Sequence, residues 1–395
     1  MRKIIVVALA LISTGVMAQK VVIFDGAAIN ASGVNKDFVA DSVGVQHAAG
    51  GRMILKKVTF PTFKNTTRAT INITLASAGD RWDKSGSCFI IPSDKANNLL
   101  EVMQGNQQFA PPTAATGSMR GVRVEGDYAP ALELMRFMTP FGVGHYSDDQ
   151  LKRKPVYIAF WEPCVKWSQD ISQLISCLQG QATIGVWIDS WTPEGYIVSV
   201  DVEFEQSELK CDKIKKSHVL PLLNTVYYSG SQGMPDLFAY QDIAFDFTLP
   251  KGAKNAKLYY ITTGHGGHSG GDEFVKKQNI VSVDGKAVMD FIPWRDDCAS
   301  FRRFNPGSGV WLIPRTAPYI GPEGYTEKRI EESLASSDIS RSGWCPGTSV
   351  TPEMVPLQNV GAGNHSLRVS IPKAQTNKGD ELNHWLVSAY IVYSL

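Results

Sequence analysis

Val198-Ser199-Val200-Asp201-Val202-Glu203-Phe204-Glu205 alternates apolar and polar residues without a break. Side chains along a strand point to opposite faces in turn, so the pattern describes a strand with one face buried and one in water. Ile243, Phe245, Phe247 and Leu249 repeat it against Ala244, Asp246 and Thr248 until Pro250 closes the run. Shorter runs of the same period are Ile71, Ile73, Leu75 and Leu367, Val369, Ile371. Many such segments, broken by Gly and Pro turns and without convincing long helices, point to an all-β chain of antiparallel sandwiches or jelly rolls. With 395 residues the chain exceeds what one core usually organises, so two domains are expected. The Lys- and Glu-rich stretch Gln206 to Lys216 separates two strand sets and is the expected junction, giving domains 19–206 and 207–395.

The start of the chain reads as an export signal. Arg2 and Lys3 precede an apolar run from Ile4 to Ile12, and Val16-Met17-Ala18 offers small residues for cleavage, so residues 1–18 are the expected leader. A periplasmic or secreted protein follows, with no later apolar run long enough to insert in a bilayer. Lys plus Arg number 39 against 38 Asp plus Glu, with no basic stripe, which argues against nucleic acid as a partner. Six cysteines suit an oxidising compartment: Cys88, Cys164, Cys177, Cys211, Cys298 and Cys345. Six allow 15 pairings, and the sequence does not choose among them. Cys164 and Cys177 flank a short helical pattern, Ile171, Leu174, Ile175 and Leu178, closed by Gly180, which favours a local bridge. Cys298 with Cys345 would staple a long polar loop, worth roughly 4 kcal/mol on the chain-entropy account.

Three acids each adjoin an aromatic residue in Gly- and Ser-rich segments: Trp82-Asp83, Asp189-Ser190-Trp191 and Glu273-Phe274. Aromatic faces bury the apolar side of a sugar or peptide, and carboxylates beside them can hold hydroxyls, activate water or pass protons. Glu273 ends the run Thr263-Gly264-His265-Gly266-Gly267-His268-Ser269-Gly270-Gly271-Asp272-Glu273, a loop shaped for function. With the junction above, Asp83 and Asp189 belong to the first domain and Glu273 to the second. A shared site would then lie at their interface, where ligand clefts are common.

These residues also carry a resemblance. Arg81-Trp82-Asp83, Leu134-Met135-Arg136-Phe137-Met138-Thr139-Pro140-Phe141-Gly142-Val143-Gly144, Ile188-Asp189-Ser190-Trp191 and Arg341-Ser342-Gly343-Trp344-Cys345-Pro346-Gly347 occur in the order and approximate spacing of the peptide-N-glycosidase F family. The resemblance runs from about Thr70 to the C-terminus. It implies two jelly rolls packed side by side and an amidase that needs no metal or other cofactor. Such an enzyme, expected as a monomer, would cut the amide joining an N-glycan to Asn in a glycoprotein or glycopeptide. Residue by residue, it casts Asp83 as the principal catalytic acid, Glu273 as the second and Asp189 as the third. Trp191, Arg341 and His268 fall on substrate-contacting or cleft positions, with Trp82 and Lys84 flanking the first acid.

The chain departs from the family pattern in places. A cysteine pair before Trp-Asp is missing, as is the pair bracketing the second acid, where Asp272 and Val275 stand. Asp189 replaces a Glu, Lys84 an Arg and Phe274 a Trp, and the loop between Cys298 and Cys345 is enlarged. Its Pro- and Gly-rich part, Pro306 to Gly324, has the composition of a lid or a partner surface. Other readings of the same residues are a glycosidase, which also works with paired carboxylates, and a non-catalytic glycan-binding jelly roll. His265 and His268 with Asp272 also have a metal-ligand look, though without a helix to fix them. The glycine run lacks the Gly-Lys-Ser/Thr ending of a phosphate loop.

Overall fold

The computed structural model describes residues 17–31, 37–63, 66–93, 95–105, 121–148, 158–207, 217–231 and 233–395. The expected leader, apart from its last two residues, and Cys211 lie outside the described residues, as does most of the Gln206 to Lys216 stretch. The chain is all-β, in two antiparallel β-sandwiches. In the first, the strands Met17–Ile29, Tyr196–Gln206, Thr67–Ser77 and Val165–Asp170 form one sheet in that order. Facing it is a six-stranded sheet of Ser349–Val350, Leu132–Met138, Ser85–Ile91, Gly180–Ile188, Met53–Phe60 and Val45–Ala48. The second sandwich pairs Ser217–Asn224, His384–Ser394, Lys254–His265 and Glu353–Pro356 in one sheet. Its other sheet holds Ile243–Leu249, Gly363–Ser370, Asn279–Val283 and Lys286–Phe291. A separate two-stranded hairpin, Val310–Gly321 with Gly324–Ala335, stands apart from both. Among the described residues no helix is long and apolar enough to cross a membrane.

The alternating strands behave as their period requires. Val198, Val200, Val202 and Phe204 are fully buried between the sheets of the first sandwich, and Ile243, Phe245, Phe247 and Leu249 fill the core of the second. Other strands do not alternate because both of their faces are covered. Every residue of Ser85–Ile91 and Leu132–Met138 is buried, as are the first nine of His384–Ser394. One face of the six-stranded sheet serves its own core through Ile54, Cys88 and Val186, while Met53, Phe89 and Trp187 on the other join Trp385, Leu386 and Val387 of the second sandwich.

A polar network is set into this apolar junction. Glu133 and Arg136, from one strand of the first sandwich, form a fully buried ion pair at 2.6 Å. Arg136 donates across the junction to Thr263 Oγ1 (3.0 Å) and the Leu386 carbonyl (2.9 Å), and Ser388 Oγ donates to Glu133 (2.5 Å). Ser349–Val350, a stretch distal to the second sandwich's first strands, adds itself to Leu132–Met138 and completes the interlock.

Cys298 and Cys345 are joined by a disulfide, with 5.1 Å between their Cα atoms. The local bridge expected between Cys164 and Cys177 does not form: Cys164 is a free thiol, as is the buried Cys88. The helical pattern between them is real but brief, a 3-10 turn over Ser172–Cys177. It is preceded by the extended strand Val165–Asp170, and six residues at about 3.3 Å each carry Cys164 about 20 Å away, far beyond bridging reach.

Arg136→Met is expected to cost about 3–5 kcal/mol in urea unfolding, because it strands Glu133 as an unpaired buried charge. The double change with Glu133→Leu should recover most of that loss, and equal losses in the single and double variants would contradict this role for the pair.

Candidate active site at the sandwich junction

Asp83 and Asp189 reach one place because of strand pairing. Asp83 lies in the turn that enters Ser85–Ile91, and Asp189 follows the neighbouring strand Gly180–Ile188, its N–H donating to the Ser85 carbonyl at 3.0 Å. A buried carboxylate, Asp80, ties the two turns together. It accepts from the Trp82 N–H (3.0 Å) on one oxygen and from Ser190 Oγ (2.8 Å) on the other. Tyr196 Oη donates to the Trp82 carbonyl at 2.5 Å, and Thr139 holds Lys84 N at 2.7 Å. Backbone geometry around Asp83 is thus fixed by hydrogen bonds with Asp80, Tyr196 and Thr139.

Glu273 arrives from the second sandwich, in the loop after Lys254–His265. Ser342 clasps that loop: its N–H donates to the Glu273 carbonyl (2.9 Å) and its hydroxyl to the Asp272 carbonyl (2.7 Å). The Asp272 carboxylate accepts from Gln375 N (2.9 Å), Gln375 Nε2 (3.0 Å) and Trp385 Nε1 (2.9 Å), with Lys277 at 3.5 Å. Asp272 therefore anchors the loop that carries Glu273. Gly266 sits at φ +152° with Asn383 Oδ1 only 2.6 Å from where a Cβ would be, so no larger residue fits that turn.

The acids from the two sandwiches meet on Arg341. Its Nε donates to Glu273 Oε1 at 2.7 Å and its Nη2 to Asp83 Oδ2 at 3.3 Å. Two more of its donors go to the carbonyls of Ile339 (2.7 Å) and Ser336 (3.1 Å). With a side chain 1% exposed, Arg341 lies beneath the acids and positions them; it has almost no surface of its own for a ligand. It is packed between Phe274 and Trp344, 5.3 and 5.0 Å from their ring centres.

Above this floor is a cleft of about 520 Å³, lined by Asp83, Asp189, Glu273, Trp82, Trp191 and Lys84 together with Ser85, His265, Gly266, Gly267, Trp344, Leu382 and His384. Trp82 and Trp191 keep 55% and 53% of their surface exposed, unusual for a residue that normally buries itself. Trp191 Nε1 donates to Asp189 at 2.7 Å, while Arg52 lies over the Trp191 ring at 4.1 Å and 3.6 Å from Asp189. His268 is not among the lining residues. Its ring contacts Asn383 Oδ1 (3.2 Å) and the Ser269 carbonyl (3.3 Å). The imidazoles that face the cleft are His265 and His384; His265 is stacked between Trp344 and His384 at 5.2 and 4.9 Å and hydrogen-bonded to Thr263 Oγ1 at 2.8 Å. With His265 on Thr263, His268 on Asn383 and Asp272 on Gln375 and Trp385, the three do not converge as metal ligands.

Burial is the largest influence on the charges here. It pushes the Asp83 carboxyl up to about 7, against the pull of Arg341 and with Glu273 pushing the same way. Asp189 also rises to about 7, again from burial, opposed by Lys84, Arg52 and the Trp191 N–H. Burial holds His265 well below its ordinary value and His384 at about 4, so both rings are neutral at neutral pH. Two carboxyls poised near neutrality beside a fixed guanidinium can supply both a base and a proton donor. Sequence reading missed His265 as a cleft residue, His384 and Arg52. Arg52 has a traceable cause: its carbonyl accepts from Ile188 N at 3.1 Å, so the ladder sets it beside Asp189.

The cleft thus lies where two antiparallel β-sandwiches meet, with acids and exposed tryptophans at the junction. Family models described as peptide-N-glycosidase F, N terminal, and peptide-N-glycosidase F, C terminal, match residues 15–204 and 233–392. The chain belongs to the peptide-N-glycosidase F family. Among solved structures it is similar to PNGF-II, at 34% identity and a TM-score of 0.81 over 95% of this chain and 65% of that one. It thus spans about two thirds of PNGF-II. PNGase F, a glycosylasparaginase from Flavobacterium meningosepticum, shares the fold at 15% identity and a TM-score of 0.57, covering 96% of each chain. No curated protein sequence matches it significantly.

The raised carboxyls carry a consequence for stability. The folded chain keeps protons on Asp83 and Asp189 that the unfolded chain has already released near the ordinary value of 3.8. Their contribution to stability is therefore full below about pH 4 and is lost as pH rises toward 7. Asp83→Asn should leave the melting temperature nearly unchanged at pH 4 and raise it relative to the parent at pH 8; an advantage at pH 4 that vanished at pH 8 would reverse the sign.

Proposed function

We propose that this chain is an exported, monomeric amidase that hydrolyses the β-aspartylglucosaminyl amide of N-linked glycoproteins or glycopeptides. It releases the intact glycan as a glycosylamine and converts the linkage Asn to Asp. The observation that carries this reading is the junction itself: Asp83 from one sandwich and Glu273 from the other on a single buried guanidinium, under two exposed tryptophans. Family membership and the likeness to PNGF-II support it. The substrate class also fits the cleft, since a glycosylated Asn presents both a polar chain with apolar sugar faces and a planar amide.

In this reading Trp82 and Trp191 hold the sugars next to the linkage, and Asp83 is the group that activates water at, or itself attacks, the amide carbonyl. A carboxyl near 7 is ionised in part of the population at neutral pH and is a stronger base than an ordinary Asp. The oxyanion that develops is stabilised by Lys84, which lines the same cleft. The departing nitrogen takes its proton from a carboxyl held partly protonated, and Asp189 has that property. Arg341 keeps the charge on Glu273 and Asp83 in place through the step without moving. No cofactor has a role in these steps.

Incubating a defined N-glycopeptide with the purified chain and analysing the products by mass spectrometry tests the reading. The expected result is Asn converted to Asp with the whole glycan released, abolished in Asp83→Asn while glycopeptide binding persists. A trimmed glycan left on an intact Asn would instead identify a glycosidase, and unaltered glycopeptide would remove the amidase. Trp191→Ala is expected to raise KM about tenfold or more, the scale of one lost aromatic platform, with a smaller change in kcat.

A further inference from the structure

The hairpin Val310–Gly321 and Gly324–Ala335 pairs residue for residue, from Val310 opposite Ala335 to Gly321 opposite Gly324, and joins no other sheet among the described residues. It is too thin to have a core. Trp311 (51%), Leu312 (64%), Ile320 (81%) and Tyr325 (75%) stand in solvent on it. An isolated hairpin of this length is marginal by itself, and an exposed apolar surface of this kind marks an interaction site.

Its two outer edges differ. A two-residue turn makes Gly321 and Gly324 mutually hydrogen-bonded, so residues at even intervals from them bond inward and the alternate residues present N–H and C=O outward. On the first strand the outward set includes Pro314 and Pro318, which have no N–H to offer, and that edge is blunted. On the second the outward set is Tyr325, Glu327, Arg329, Glu331 and Ser333, with no proline, and that edge keeps its donors and acceptors. Twelve residues of ladder extend about 40 Å, the length of an extended peptide and not of one sugar.

The root of the hairpin is locked to the cleft. Ser336, the residue after it, donates to the Gly309 carbonyl at 2.8 Å and gives its own carbonyl to Arg341 Nη2. Asp338 accepts from Ala335 N at 2.9 Å and from Arg302 Nε at 2.8 Å. On the other side Gly307 accepts from Arg81 Nε at 2.8 Å, one residue from Trp82 and two from Asp83. A chain lying along the open edge therefore runs toward the carboxylates.

We propose that the Gly324–Ala335 edge is a docking strand for the polypeptide of the substrate: an extended, unfolded segment flanking the glycosylated Asn adds to it as a third strand. This rests on the amidase reading above, and it deepens that reading by assigning the peptide, as distinct from the glycan, its own surface. Main-chain pairing recognises extended backbone without demanding a sequence, and a folded glycoprotein, whose strands are already paired, cannot offer it.

The test uses two variants of the full chain. Glu327→Pro with Glu331→Pro removes two outward donors while leaving the inner ladder intact, as Pro314 and Pro318 already do on the other strand. In the second, a single glycine replaces 310–335 between Gly309 and Ser336, whose ends are already hydrogen-bonded. Two substrates carry the same glycan, one on a minimal peptide and one on an unfolded peptide long enough to cover the strand. In both variants KM for the long substrate should rise about tenfold, what one or two net backbone hydrogen bonds are worth, with kcat and all constants for the minimal substrate unchanged. Fluorescence anisotropy of the long peptide without its glycan should show the same loss of affinity, and this arm does not depend on turnover. If the parent chain cleaves neither substrate yet binds the bare peptide through this edge, the amidase reading fails and the docking strand stands. Unchanged long-peptide affinity in both variants, or equal losses on both substrates, overturns the proposal. So does a parent dimer in sedimentation that the prolines dissociate while peptide binding is absent, since the edge would then serve a second copy.

Discussion

Everything at the cleft depends on burying one guanidinium between two carboxylates that come from different sandwiches. An isolated buried cation is among the costliest groups a protein can hold, and it becomes tolerable only when its donors are all taken in good geometry. Arg341 approaches that condition, with four of its five donors on Glu273, Asp83 and two carbonyls. A lysine could not, since it lacks the planar fork that reaches two carboxylates and two backbone oxygens at once. The segment around it is correspondingly stiff. Gly343, at φ +84°, has the Thr262 carbonyl 2.9 Å from where a Cβ would sit, Trp344 donates to the Gly264 carbonyl at 2.9 Å, and Cys345 is bonded to Cys298. The disulfide lies four residues from the guanidinium and fixes the loop whose other branch carries the hairpin.

The same logic explains how the two loops that present Glu273 and Asp83 keep their shape without a disulfide of their own among the described residues. Asp272 and Asp80 are fully buried carboxylates placed at the bases of the loops that present Glu273 and Asp83. Each gathers hydrogen bonds from segments that are distant in sequence: Gln375 and Trp385 for Asp272, Trp82 and Ser190 for Asp80. A multiply bonded carboxylate substitutes for a covalent link because leaving it unsatisfied in the interior would cost several times what each bond contributes.

How much of this was legible in the sequence follows from how each part is exposed. Strands with one wet face, such as Val198 to Glu205, announced themselves by period two, and with them the all-β class. Ser85–Ile91, Leu132–Met138 and His384–Ser394 are covered on both faces, so nothing in their pattern shows that they form the junction. The three acids were legible as residue types beside aromatics, and they line one cleft. His265, rather than His268, faces the acids because the strand carries it to the cleft end while the glycine turn directs His268 to Asn383. His384 and Arg52 reach the site only through pairing across sheets, which a linear reading does not contain. The bridge expected from the nearness of Cys164 and Cys177 failed for the converse reason: neighbours in sequence are separated by an extended strand.

The junction also couples docking of the sandwiches to the chemistry of the acids. Asp83 and Asp189 are raised chiefly because they are desolvated, and Asp83 is raised further by the charge of Glu273 from the other sandwich. Pulling the sandwiches apart would hydrate Asp83, remove Glu273 from its neighbourhood and deprive Arg341 of one of its two carboxylates. Asp83 would then return toward the ordinary carboxylate range and lose the basicity its proposed role requires. The buried Glu133–Arg136 pair, bonded to Thr263 and Ser388 across the same junction, resists that separation, and Thr263 passes its hydrogen bond on to His265. The network that holds the halves together therefore reaches the cleft in two steps, through Thr263 and His265.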